Sequence, residues 1–142
     1  MATIRRFEDL EAWKKSRLLA QEIWRITNQG TFARDYKLKD QINGSSGSAM
    51  DNIAEGFGRG GRLEFVNFLS VAKGSNDETK SQLYRALDKE HIDRDKFDNL
   101  YGIADEAGKA IHGLIEYLNT TPIKGTKFKD RTTENYKDKI KN

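Results

Sequence analysis

FDNLYGIADEAGKAIHGLIEYL, residues 97–118, decides the fold. Phe97, Leu100, Tyr101, Ala104, Ala107, Gly108, Ile111, Leu114, Ile115 and Leu118 recur at the spacing of one helical face. Asp98, Asp105, Glu106, Lys109 and Glu116 fill the other. Asp93 stands where an N-cap belongs, and the single proline, Pro122, stops the pattern. A helix of this length is about 30 Å long and has to bury its apolar face against partners.

Three upstream stretches supply them. Residues 36–57 carry the stripe Leu38, Ile42, Ser45, Ser46, Ala49, Ile53 and Phe57, small in its middle, so a neighbouring helix can come close there. Residues 62–87 carry Phe65, Phe68, Leu69, Ala72, Thr79, Leu83, Ala86 and Leu87, with Ser75 and Asn76 polar in mid-stripe. Residues 7–27 carry two stripes: Ala12, Leu19, Ile23 and Ile26, and beside them Trp13, Ala20 and Trp24 with Leu10 at the margin. Together these cover roughly 200° of helix, where one core face needs little more than 100°. Either the tryptophans widen the core, or Trp13, Ala20 and Trp24 form a second surface shared with another subunit. Residues 28–34, 58–61 and 90–93 read as loop, helix end plus turn, and turn. Short connections between long helices predict an all-α, antiparallel up-and-down four-helix bundle over residues 1–122. Residues 123–142 read as a basic, mobile tail.

The chain has 142 residues and no cysteine, which excludes disulfides and thiolate metal sites. There is no secretory signal pattern and no apolar run long enough for a membrane span. A soluble cytoplasmic protein is expected. The net charge of +3 divides unevenly: from Lys124 on, seven basic residues oppose three acidic ones, a net +4, and the remaining 18 basic and 19 acidic residues give −1. A near-neutral body is no footprint for nucleic acid by itself.

Catalytic and cofactor chemistry is not indicated. Residues 56–61 match G-x-G-x-x-G, but a helix precedes them where the dinucleotide fingerprint needs a strand. His91 in a turn and His112 on a helix edge read as solvated, and neither has the Glu-x-x-His spacing of a di-metal bundle. No catalytic residue, metal or cofactor is assigned and no small-molecule substrate is identified; the expectation is a non-enzyme. Arg59 and Arg62, flanking a glycine turn, either belong to a solvated turn or contact phosphate; Lys124, Lys127, Lys129 and Arg131 are further candidates for phosphate contact. Gly44 and Gly47 lie on the outward face of their segment, where they are either neutral or admit a close neighbour from another chain. Glu55, off the apolar stripe, is either solvated or an interface ion-pair partner. Ser75 and Glu78 have capping-box spacing, though in mid-helix.

A resemblance joins these residues. Phe7-Glu8-Asp9-Leu10 with Trp13, Leu38 with Gln41-Ile42, Ser48, Asn52-Ile53-Ala54-Glu55-Gly56 with Gly58-Arg59, Phe65, Phe68-Leu69, Ala72, Gly74-Ser75 and Glu78 resemble the bacterial four-helix-bundle proteins encoded within intervening sequences of 23S ribosomal RNA genes. The resemblance implies an up-and-down bundle assembling into a ring-like homopentamer. Such bundles are similar to the accessory variability proteins of diversity-generating retroelements, which bind nucleic acid and a reverse transcriptase. RNA or a ribonucleoprotein is therefore the leading partner class. The chain departs from the family after Gln41-Ile42, where Asn43 and Gly44 replace basic residues. The competing function is a ring-forming scaffold that binds another protein without nucleic acid.

Overall fold

The computed structural model describes residues 4–121. Four α-helices follow one another: α1 Glu11–Thr27, α2 Tyr36–Arg59, α3 Arg62–Asp88 and α4 Arg94–Thr120. Hydrogen bonds fix their directions. Across α2 and α3, Gln41 pairs with Arg85, Ser45 with Thr79 and Gln82, and Ser48 with Ser75. Across α3 and α4, Arg62 reaches Leu118 and Asn76 reaches Ala104. Partner numbers fall on one helix as they rise on the other, so both pairs are antiparallel. α1 packs on α2 and α4 and completes the bundle.

The bundle is apolar at both ends and polar in the middle. One end gathers Leu10, Ala12, Ile53, Phe65, Leu69, Ile111 and Leu118. The other gathers Leu19, Ile23, Phe32, Leu38, Ile42, Leu83, Phe97 and Leu100. Between them lie Ser16, Ser45, Ser46, Asn76 and Thr79, all buried. The Ser45 hydroxyl lies 2.7 Å from that of Thr79 and donates to Gln82 Oε1 at 2.6 Å, while Asn76 Nδ2 donates to the Ala104 carbonyl at 2.9 Å. Small hydroxyl side chains let α2 approach α3 while satisfying each other, because a buried polar group left unpaired is costly. Ser75 takes no cap: it sits within α3 with its hydroxyl 3.1 Å from that of Ser48.

Two sequence readings change. The first segment is not one helix: residues Phe7–Asp9 form a 3-10 turn, Leu10 is extended (φ −77°, ψ 129°) and buried, and α1 begins at Glu11. The break folds Phe7 back onto Trp13, edge to face at 5.1 Å. Trp13 is thus half-buried by its own chain, which accounts for part of the wide apolar arc without another subunit. Secondly, α2 does not end at Gly58 but runs on to Arg59, and Gly60 takes the left-handed conformation (φ 86°) that stops the helix.

Candidate nucleic-acid interface

The near-neutral body conceals a separation of charge along the chain. From Lys14 to Lys39 seven basic residues face only Glu22 and Asp35, a net +5. From Asp40 to Thr121 nine basic residues face fourteen acidic ones, a net −5. Between Lys39 and Arg59 α2 has no basic residue. Ion pairing sharpens the contrast. Among the described residues, six of the nine basic side chains after Asp40 pair with a carboxylate: Arg59, Lys73, Lys80, Lys89, Arg94 and Lys109. In the Lys14–Lys39 stretch only Lys14, with Glu11, and Arg25, with Glu22, do so. Lys15, Arg17, Arg34, Lys37 and Lys39 have no carboxylate partner among the described residues.

These cations stand next to aromatic rings. The Arg17 guanidinium lies 5.7 Å from the centre of the Trp13 ring, and the Lys39 ammonium 5.6 Å from that of Trp24. Asn28 fixes the second pair, accepting from Lys39 Nζ at 2.8 Å and donating to the Trp24 carbonyl at 2.7 Å. Trp24 remains 58% exposed, and Tyr36, one turn before Lys39, 71% exposed. Ala20 is half-buried between the two tryptophans. Gly44 and Gly47 have open space where a Cβ would stand, so neither is needed for packing inside the chain.

The arginines flanking the glycine turn separate in role. Arg59 Nη2 donates to Glu55 at 2.9 Å, its guanidinium lies 5.0 Å from the Phe68 ring, and the Glu55 contact holds its pKa above the usual arginine value. Glu55 is therefore an exposed partner along its own helix. Arg62 is half-buried and donates to the Leu118 carbonyl at 2.9 Å, where it satisfies the C-terminal end of α4. One of its guanidinium nitrogens is thus engaged in packing α3 on α4. Lys124, Lys127, Lys129 and Arg131 lie outside the described residues.

His91 is also corrected: its side chain is only 11% exposed. Its Nε2–H donates to Asp35 Oδ2 at 2.9 Å, and in the neutral ring Nδ1 then accepts from the Thr31 hydroxyl, 2.8 Å away. The ring stacks on Phe32 at 5.0 Å. Asp35 also caps α2 by accepting from Leu38 N–H and binds Lys89 Nζ at 2.9 Å. Hydroxyl, imidazole and carboxylate have the composition of a hydrolytic triad. Here the carboxylate is occupied by a helix cap and a lysine, so the cluster ties the α1–α2 connection to the α3–α4 turn. The His91 bond, then those of Lys89 and Leu38, holds the Asp35 carboxyl well below the usual carboxylate range. A depressed carboxyl stabilises the fold above its unfolded pKa of about 3.9 and loses that contribution as pH falls further. Asp35→Ala should cost about 2 kcal/mol at neutral pH, the cap and one charge-assisted bond combined. The difference from wild type should shrink below about pH 4. Urea denaturation at both pH values checks this; a pH-independent difference would refute it.

A model of the 23S rRNA-intervening sequence protein family matches residues 8–113. The chain belongs to this family. It is also similar in structure to a protein of unknown function from the S23 ribosomal protein family of Bacteroides thetaiotaomicron, with a TM-score of 0.67 and 23% identity, over 74% of this chain and 98% of that one. At that identity the likeness establishes the fold. No curated protein matches the chain. In this family member the matched region contains the whole Lys14–Lys39 stretch and ends before the basic tail. Residue counts over the entire body hid that stretch; a running count along the chain would have found it. No helix among the described residues is long and apolar enough to cross a membrane.

Proposed function

We propose that this chain is a cytoplasmic, non-enzymatic homo-oligomer, a ring of five by family resemblance, that binds RNA through phosphate contacts. One observation carries the reading: among the described residues, the basic side chains without a carboxylate partner concentrate between Lys15 on α1 and Lys39 at the start of α2. A cation already paired gains little from a phosphate, whereas an unpaired one releases phosphate counterions on binding. The tail lysines and Arg131 add positive charge to the chain. Several copies of a weak patch on one ring raise the effective affinity without any new contact.

Contact between copies is supported by a different face. Leu63 and Val71 on α3 are 71% and 54% exposed. With Asn67, Ser70 and Gly74 they form an uncharged strip of helix. Asp40 and Asp51 make the outward face of α2 acidic.

Two measurements test the proposal. Light scattering at micromolar concentration should give a multiple of 16.2 kDa; a monomer alone would remove the ring. A labelled single-stranded RNA should bind at low salt and weaken steeply as salt rises. Replacing Lys124, Lys127, Lys129 and Arg131 by glutamine should weaken it without abolishing it, because α1 and α2 retain their charge. No binding by the full chain at low salt would leave the protein-scaffold function.

A further inference from the structure

Resting on the RNA-binding reading above, we propose that the groove between α1 and α2 is a track for single-stranded RNA, in which bases stack on Trp24 and Tyr36 and phosphates lie against Arg17 and Lys39. Trp13, Arg17, Ala20 and Trp24 follow one another at four-, three- and four-residue steps, so they form a single stripe along α1. The Lys39–Trp24 contact and the hydrogen bond from Asn43 Nδ2 to Thr27 Oγ1 at 3.0 Å place this stripe beside α2. From Trp13 to Trp24 the stripe is about 16 Å long, room for a few stacked nucleotides.

Charge and shape select the occupant. Arg17 and Lys39 are each held at a ring and have no carboxylate partner among the described residues, so their positive charge is available to an anion. The exposed faces of Trp24 and Tyr36 have no partner that duplex RNA could offer, since paired bases keep their faces stacked inside the helix. A single strand offers both groups at once: an anionic backbone and free base faces. A phosphate track with aromatic platforms reads strand chemistry and not sequence, so the groove should accept many sequences.

The test uses the full-length protein and a short fluorescein-labelled oligouridylate. In a Trp13→Phe background Trp24 is the sole tryptophan, and the RNA should quench its fluorescence with the same midpoint as the anisotropy change. Trp24→Ala should weaken binding about tenfold, and Trp24→Phe should restore most of it. Arg17→Gln and Lys39→Gln should each lower the slope of log affinity against log salt by about one. Lys109→Gln, on α4 and already paired with Asp105, should leave both unchanged. RNA binding that survives Trp24→Ala with no quenching would overturn the track and leave RNA binding to the tail. Loss of assembly in light scattering by Trp24→Ala, with RNA affinity intact, would make the stripe a contact between copies and overturn it equally. No RNA binding by the unmodified chain at low salt would overturn the functional reading itself.

Discussion

Replacing Phe32 by alanine should lower the stability of the folded chain by about 3–5 kcal/mol. Phe32 is fully buried although it lies in the short 3-10 helix between α1 and α2. It closes one end of the bundle over Leu19, Ile23, Leu38 and Ile42 and supplies the platform on which His91 stacks. Removing the ring opens a cavity lined by residues fixed in long helices, which cannot collapse into it. The His91 imidazole, bonded to Asp35 and Thr31, loses its packing at the same time. Domains are stable by about 5–15 kcal/mol in total, so this variant should melt roughly 10–20 °C lower. Phe32→Leu should cost only about 1–2 kcal/mol, because it keeps most of the volume. Thermal and urea unfolding measure both. An alanine variant within about 1 kcal/mol of wild type would show that the turn is not part of the core.

Gly56→Val should cost about 2–3 kcal/mol. A Cβ at Gly56 would stand 2.5 Å from Phe68 Cβ and 3.1 Å from Phe65 Cδ1. Phe68 Cβ is fixed to the α3 backbone and cannot rotate away, so α2 and α3 must separate along the seam where Ser45, Ser48, Ser75 and Thr79 hold them together. The better helix propensity of valine returns only a few tenths of a kcal/mol. Gly44→Ala is the opposite case. No atom of this chain lies within 4 Å of a Cβ at Gly44, so alanine should raise intrinsic stability by about 1 kcal/mol. Denaturation midpoints of the two variants should therefore move in opposite directions. A Gly56→Val protein as stable as wild type would mean that the helices are not in contact there.

Residue pattern by itself determined the number of helices, their approximate spans, the cap at Asp93 and most of the buried stripes. Helical periodicity is a local property, and each face repeats often enough to be read without knowing its partner. The small middle of the α2 stripe was legible for the same reason. Tertiary structure alone decided the rest. Phe32 lies outside any periodic segment, so nothing local distinguishes a turn residue that plugs the core from one facing water. His91 looked solvated because its partners, Asp35 and Thr31, are 56 and 60 residues away. The bond from Arg62 to the helix end at Leu118 was hidden for the same reason, since the two residues are 56 apart in sequence. Of the glycines, pattern pointed to Gly44 and Gly47, whereas close packing of α2 on α3 requires Gly56; a glycine records that a side chain is absent but not which neighbour excluded it. Charge followed the same division. Its uneven distribution was present in the residues, but which cations remain unpaired depends on the carboxylates that folding brings beside them.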